Sequence, residues 1–328
     1  MKENTESTKT LNRQLSFIYR RPGDQIFKTL VIILATSVLF LALGMGLSLW
    51  LEAYPAFQTF GLFNFLIESD WDPINQLHGA LPFLLGTLLT SFLALGLAIL
   101  PSIAIAIYVS EYASPLVATI INYLVDLLAA VPSVVIGLWA IFNFAPVLRD
   151  VLLYPFFQWA EINARWLLPI IGENGPAVYN ITSATIILAL MIVPYTVALS
   201  RDAIKMVPKE QTDAAWALGA TKWEVVQMAI LPYASSGIYA GALLSLARAL
   251  GETMAVAMLI GNSNKLPLTL FGPAATMPSL IINEFREAVE NIHLSSIMAV
   301  GFYLFVITIG INLFSTFIQQ SLFKEKFK

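Results

Sequence analysis

Charged residues and cysteine are what this chain of 328 residues lacks most. Only 12% of its residues are charged, whereas 58% are hydrophobic. A soluble domain carries about 25% charged residues, so the composition excludes an ordinary soluble protein. The absence of cysteine excludes disulfides, thiolate metal ligands and a thiol nucleophile.

Features that serve nucleic-acid binding, metal binding or ATP hydrolysis are scarce as well. The net charge is −3 and no basic run is longer than Arg20-Arg21, which speaks against a nucleic-acid partner. His78 and His293 are far apart in the sequence, so we expect no metal site unless the fold brings them together. No G-x-x-x-x-G-K-[ST] loop occurs, and we therefore expect that the chain does not hydrolyse ATP by itself and is not an enzyme.

Long apolar runs are what the sequence has instead. Each run is long enough for the about 20 helical residues that cross a bilayer. The runs occupy residues 29–51, 80–109, 116–144, 178–199, 234–261 and 296–323. Transmembrane β-strands are shorter and alternate in polarity, so we predict an all-α integral membrane protein with six transmembrane helices. Pro101 and Pro132 should kink the second and third helices because proline cannot donate to the helix ladder.

Basic residues indicate the topology of these helices. Six of them precede the first run, four lie in the loop 200–233 and three in the C-terminal tail, whereas the external loops hold four. By the positive-inside rule both termini are expected in the cytoplasm. The aromatic-rich segment 145–177 is then an external loop, which either lies at the lipid headgroups or packs on the bundle.

The cytoplasmic loop 201–233 is too apolar for a linker and too interrupted for a membrane span. We predict a first short helix that Thr212 caps and that Gly219 ends, because a helix C-terminus favours a residue with positive φ. A second helix should start at Thr221, with Glu224 at the capping-box spacing. Two helices in this arrangement project from the membrane and fit a groove on a partner.

The same loop resembles the EAA loop of ABC-transporter permeases. Asp213-Ala214-Ala215, Gly219 and Leu231-Pro232 stand at the spacings of that motif. The sequence departs from it at Asp213, where the family has Glu, and at Ala229, where it has Ile. Aspartate keeps the negative charge, so a salt bridge to a partner is retained as an expectation.

Other stretches are similar to the phosphate-specific permeases, and in particular to their C-type subunit. They are "YVSEYASP" (108–115), "VPSVVIGLWA" (131–140), "ALGATKWEVVQMAILPYASSGI" (217–238) and "RALGETMAVAMLIGN" (248–262). The resemblance implies the type I ABC importer permease fold. It divides the chain into a cytoplasmic tail (1–28), a first helix (29–51), a permease core (83–316) that contains the coupling loop 201–233, and a helix end with a basic tail (317–328).

The resemblance also implies partners and a location. A second permease subunit, a dimer of cytoplasmic ATPase subunits and a phosphate-binding protein would complete the transporter in a bacterial-type cytoplasmic membrane. ATP and Mg²⁺ would bind to the ATPase, so no cofactor is expected in this chain. Asp213, Ala214, Ala215 and Gly219 would form the coupling helix that is seated in a cleft of the ATPase.

Arg248 and Glu252 stand inside the fifth apolar run. Residues four apart share one face of a helix, and Gly237, Gly241 and Ser245 fall on the same narrow face. Bulky apolar residues lie opposite, namely Tyr239, Leu243, Leu246, Leu250 and Met254. A charge at the centre of a bilayer costs about 2.5–3.5 kcal/mol, so this stripe should face the bundle interior or a water-filled cavity.

Two interpretations of the charged pair remain open. Arg248 and Glu252 could form a structural ion pair, or they could form a phosphate station together with Ser245, since arginine matches two phosphate oxygens. Glu252 would then compete for Arg248 and favour release. For the whole chain the alternatives are a permease for another oxyanion such as molybdate or sulfate, and an ATP-independent channel or secondary transporter. An intramembrane enzyme is poorly supported, because no paired acid, nucleophile or metal cluster accompanies Glu252.

Overall fold

The computed structural model describes residues 22–324. The chain divides between Leu51 and Glu52 into two compact units. The first helix, α1 (Pro22–Phe60), begins in the first unit as an apolar helix with mostly exposed side chains. It starts before and ends after the predicted bounds 29–51. Most basic residues that fixed the orientation of the termini lie outside the described residues, so this topology stays a prediction.

In the second unit, short elements precede the bundle. They are α2 (Leu62–Ile67) and the antiparallel strands β1 (Trp71–Asp72) and β2 (Leu77–His78). The following helices are α3 (Leu81–Ile107), α4 (Pro115–Ala130), α5 (Ser133–Trp139), α6 (Ala145–Leu148), α7 (Tyr154–Asn163), α8 (Leu168–Ile171) and α9 (Ile181–Lys205). The last are α10 (Lys209–Ala217), α11 (Lys222–Val225), α12 (Leu231–Gly251), α13 (Met254–Leu259), α14 (Met277–Glu284) and α15 (Asn291–Lys324).

Six helical segments within residues 22–324 are long and apolar enough to cross a membrane. They are Gln25–Phe60, Leu81–Tyr112, Ser133–Asn163, Ile181–Lys205, Lys222–Gly251 and Asn291–Phe317. The predicted number of spans and the all-α fold are therefore confirmed. The third span is placed wrongly by the sequence prediction, because Pro132 separates α4 from α5 instead of kinking one helix.

The third span continues through residues that were predicted to be an external loop. π-Helical turns at 140–144 and 149–153 join α5, α6 and α7 into one helical segment. Pro146 and Pro155 each follow one of these turns closely. A wider turn can relieve the clash between a proline ring and the preceding carbonyl, so the prolines do not end the helix. The loop prediction for 145–163 is therefore wrong. The end of this segment packs on the following residues, since Phe157 on α7 belongs to one buried cluster with Ile171 and Phe271.

The centre of the second unit is α9. Of the residues in its most apolar stretch, 67% are buried. In the corresponding stretch of the span that contains α12, 39% are buried. Ile187, Leu188 and Ile192 are almost fully buried and belong to one cluster with Ala94 and Ala98 of α3. A helix that is buried on most faces contacts protein rather than lipid. Most side chains of α9 are therefore inside the bundle, although Leu190 is exposed.

The two histidines that are distant in the sequence meet in the second unit. The ring centroids of His78 and His293 lie 5.6 Å apart. Glu284 accepts a hydrogen bond of 2.8 Å from Trp71 Nε1 through Oε2, which also lies 3.0 Å from His293 Nε2. Within the described part of the chain, however, no three side chains of the metal-ligating types are arranged to hold a metal ion.

Candidate transport site and coupling surface

The helix that carries Arg248 ends immediately after it. Helix α12 stops at Gly251, and Glu252 has extended backbone angles of φ −68 and ψ 124. Glycine is a poor helix former, and the Thr253 hydroxyl donates to the Gly251 carbonyl at 3.1 Å, which offers the backbone an alternative to the helical ladder. The prediction of one continuous apolar helix through residues 234–261 is therefore wrong, and Glu252 stands at the break.

Arg248 and Glu252 do not form an ion pair. Within residues 22–324, salt bridges of 4.0 Å or less join Arg149 to Asp150, Arg201 to Asp202 and His293 to Glu284. Glu252 is only 9% exposed. The interpretation of the two residues as a structural ion pair is therefore not supported by the geometry.

The contact that Arg248 makes is with an aromatic ring. Its guanidinium carbon lies 4.6 Å from the centroid of the Tyr195 ring, within the range of a cation–π interaction. Its Nε atom is buried and has no hydrogen-bond partner. Tyr195 is near the middle of the 25-residue helix α9. Arg248 is therefore level with the central part of the most buried span.

The small-residue stripe of α12 faces the bundle interior, as predicted. A Cβ atom on Gly237 would lie 2.3 Å from Ala203 Cβ, and one on Gly241 would lie 3.0 Å from Leu199 Cβ. Such small residues let two helix backbones approach closely. The stripe is therefore packed against α9.

Ser245 continues this stripe. It is fully buried, and its hydroxyl lies 2.6 Å from the Thr196 hydroxyl and donates to the Ile192 carbonyl at 3.3 Å. These bonds fix the register between α9 and α12. The opposite side of α12 was expected to face away from the interior, but Leu246 and Leu250 are also buried, so that part of the prediction is wrong.

The loop after α9 has the predicted helix–glycine–helix form. Gly219 follows α10 with φ +80, and no atom outside its own vicinity lies within 4 Å of the position of a Cβ. Glycine is therefore required here by the backbone conformation and not by packing. The capping box is present, since Thr221 N donates to Glu224 Oε2 at 2.7 Å and Glu224 N donates to Thr221 Oγ1.

The start of α10 differs from the prediction. The helix begins at Lys209 after Pro208, and Thr212 lies inside it with its hydroxyl donating to the Lys209 carbonyl. Pro208 is the N-cap residue, with extended angles of φ −60 and ψ 137, so the first turn begins without a threonine cap. Thr212 is therefore not the capping residue.

The coupling motif lies mostly on the surface of this loop. Asp213 and Ala214 are exposed, whereas Ala215 packs against the buried cluster that contains Ile204 and Val226. Leu218 is 89% exposed. A surface groove of about 630 Å³ is lined by Gln211, Ala214, Ala215, Leu218, Gly219, Ala220, Glu224, Met228 and Ala229. An exposed apolar surface with a groove is typical of a protein-binding site.

Sequence comparison defines the class of this protein. Residues 102–325 match the family described as the binding-protein-dependent transport system inner membrane component. This match covers the span 133–163, the central helix α9, the coupling loop and Arg248. The class is therefore a permease component of a binding-protein-dependent ABC transport system.

Individual relatives narrow the class. The chain is 36% identical over 304 residues to the phosphate transport system permease protein PstC of Pasteurella multocida, covering 92% of this chain and 91% of that protein. It is 37% identical to PstC of Mesorhizobium japonicum, covering 87% of this chain and 86% of that protein. The chain therefore belongs to the PstC family of transport system permease proteins.

Solved structures support the fold alone. A bacterial alginate ABC transporter in complex with an alginate-bound periplasmic protein matches with a TM-score of 0.58 at 16% identity, covering 89% of this chain and 93% of that chain. The MetNI methionine ABC transporter in an inward-facing conformation matches with a TM-score of 0.54 at 14% identity, covering 77% and 99%. The type I ABC importer permease fold is therefore confirmed.

Proposed function

We propose that this chain is the transmembrane permease subunit of an ATP-driven importer of inorganic phosphate. It forms half of the translocation path, and a second permease subunit forms the other half. The single observation that carries the role of the site is Arg248, a guanidinium between two central helices that forms no salt bridge with a carboxylate of residues 22–324. The similarity of the chain to PstC proteins supports phosphate as the transported ion.

Arg248 is suited to bind an oxyanion at this place. A guanidinium presents several N–H donors in a fixed fork that matches two phosphate oxygens. A charge that faced lipid would cost about 2.5–3.5 kcal/mol, and the contact with Tyr195 holds Arg248 against the buried helix α9 instead. An arginine without a carboxylate partner can bind an anion at this position during its passage through the permease.

Glu252 is assigned the opposite role. It is 9% exposed and lies at the helix break four residues after Arg248. A carboxylate near the path weakens anion binding, and transport requires binding that is strong enough for entry and weak enough for exit. Ser245 is retained as a candidate path residue, although its present hydrogen bonds go to α9.

The coupling loop connects this path to the energy source. Asp213, Ala214, Ala215 and Gly219 form the surface that docks in a cleft of the cytoplasmic ATPase subunits, which bind ATP and Mg²⁺. A phosphate-binding protein delivers the substrate from the opposite side. Both termini are assigned to the cytoplasm of a bacterial cell from the distribution of basic residues. The permease core is assigned to residues 83–316, and the segments 1–28, 29–51 and 317–328 flank it.

Uptake by the reconstituted complex tests the proposed function. The four kinds of subunit are placed in liposomes, and ATP-dependent uptake of phosphate, arsenate and sulfate is measured. We expect saturable uptake of phosphate that requires ATP inside, with arsenate as its competitor. Uptake of sulfate or molybdate in preference to phosphate would instead indicate a different oxyanion, and uptake without ATP would indicate a channel or secondary transporter.

A further inference from the structure

The side chain that faces Arg248 is Tyr195, and nothing in the proposed transport mechanism uses it yet. The distance from the guanidinium carbon to the ring centroid is 4.6 Å. Both side chains are partly buried. Because α9 and α12 pack directly on each other, the pair lies at the interface of two central helices.

Contacts of the α12 residues that precede Arg248 hold this pair in register. One residue after Tyr195, the Thr196 hydroxyl lies 2.6 Å from the hydroxyl of Ser245, which precedes Arg248 by three residues. One turn before Ser245, Gly241 approaches Leu199 closely: a Cβ atom built on Gly241 would lie 3.0 Å from Leu199 Cβ. Tyr195 therefore faces Arg248 because the two backbones are fixed, not because two mobile side chains happen to meet.

The nature of the partner matters for the chemistry of Arg248. A carboxylate would accept hydrogen bonds from the guanidinium fork and would compete with an anionic substrate. An aromatic face attracts a cation through the ring quadrupole and accepts no conventional hydrogen bond. Tyr195 therefore stabilises the positive charge without occupying the donors that an oxyanion needs.

We propose that Tyr195 is a positioning residue that holds the guanidinium of Arg248 ready for an oxyanion through a cation–π contact. Without the ring, the arginine side chain turns toward other acceptors, and Glu252 is the nearest carboxylate in the sequence. This inference rests on the proposed function, because it deepens the role of Arg248 in the path. It assigns a role in oxyanion binding to a residue that lies outside the motifs 108–115, 131–140, 217–238 and 248–262.

Fluorinated phenylalanines at position 195 test the contact with little change in shape. Tyr195→Phe is the starting variant, and difluoro- and trifluorophenylalanine then weaken the ring quadrupole in steps. In the complete reconstituted complex we expect Tyr195→Phe to retain phosphate uptake, and uptake to fall with each fluorine to about fivefold below Tyr195→Phe. A flat series would overturn the inference. Because fluorination preserves ring shape, a packing role alone predicts that flat result.

Two further variants separate this inference from the proposed function. Tyr195→Leu removes the ring and should also lower uptake about fivefold, while ATP hydrolysis stimulated by the loaded binding protein reports that the complex assembles. Tyr123 on α4, which is 68% exposed, takes the same fluorinated series as a matched control and should show no trend. If Arg248→Gln leaves uptake intact, the proposed role of Arg248 fails; if Arg248→Gln abolishes uptake and the series at 195 is flat, only the role of Tyr195 fails.

Discussion

Two arginines on the central helices have opposite surroundings. Near the C-terminal end of α9, Arg201 donates from Nε to Asp202 at 3.1 Å and from Nη1 to Asn122 at 2.8 Å. Arg248, by contrast, lies against the face of Tyr195, and its buried Nε has no hydrogen-bond partner in the described part of the chain. The donors of Arg201 join α9 to α4, whereas those of Arg248 are assigned to the substrate in the proposed function.

We infer from this difference that the bundle separates charges that serve the structure from those that serve transport. Charge near the C-terminal end of α9 is neutralised by short-range partners and orders α9 against α4. In the proposed mechanism the Tyr195 ring stabilises the charge of Arg248 and leaves its N–H donors for a substrate. Substitutions in the two regions should therefore change different measurements.

The largest expected effect is the loss of the interior charge. Arg248→Gln removes the charged fork, and we expect phosphate uptake to fall by about 100-fold or more, because charge-assisted hydrogen bonds contribute about 1.5–3 kcal/mol each. Arg201→Gln is the matched control and should lower uptake only through a modest loss of stability. Equal losses of uptake in the two variants, with equal amounts of assembled complex, would contradict the distinction between the regions.

The second largest effect is expected where α12 packs on α9, and it should appear as a loss of stability. Gly237→Ala introduces a Cβ atom 2.3 Å from Ala203 Cβ, and overpacking of this kind costs about 1–3 kcal/mol. The thermal midpoint of the purified complex should decrease accordingly. Gly96→Ala on α3 has no atom within 4 Å of its new Cβ and should leave the midpoint unchanged or raise it; a similar decrease in both variants would show that the close approach is unimportant.

A smaller effect is expected in the coupling loop. Gly219 has φ +80, and alanine in that conformation costs about 1–2 kcal/mol. Gly219→Ala should therefore reduce the stimulation of ATP hydrolysis by the loaded binding protein, while Gly219→Asn, which tolerates the left-handed region, should restore most of it. If the loaded binding protein stimulates ATP hydrolysis equally in Gly219→Ala and the wild type, the angle between α10 and α11 has no role in coupling.

The smallest expected effect is a pH dependence outside both regions. Burial lowers the pKa of His78, and His293 adds to this, while Glu284 and Glu290 act in the opposite direction. Because the folded pKa lies below the unfolded value of about 6.5, His78 destabilises the fold as pH falls through that value. The thermal midpoint should decrease from pH 7.5 to pH 5.5, and His78→Phe should weaken this dependence. An unchanged slope in His78→Phe would assign the dependence to other groups.

Much of the fold follows from sequence patterns that are local. The number of spans follows from the lengths of the apolar runs, and the positive φ of Gly219 and the capping box of Thr221 follow from rules for helix ends. The inward-facing stripe of Gly237, Gly241 and Ser245 follows from helical periodicity. Each of these features depends on residues within a few turns of one another.

The features that were missed depend on departures from regular helices or on distant residues. Pro146 and Pro155 are accommodated by π-helical turns, so the chain stays helical where proline usually indicates an end. The break at Glu252 depends on the Thr253 hydroxyl and a single glycine inside an apolar run. Tyr195 carries no local signal, because its contact with Arg248 arises only when α9 and α12 pack together.

The most direct measurement of the central claim is the distance between phosphate and the guanidinium of Arg248 during transport. Solid-state NMR on the complex arrested with bound phosphate, with arginine labelled at its guanidinium carbon, reports that distance through the coupling between phosphorus and carbon. We expect a strong coupling in the wild type that disappears in Arg248→Gln and persists in Arg201→Gln. A coupling that persists in Arg248→Gln, or that is absent from the phosphate-loaded wild type, would contradict a phosphate station at Arg248.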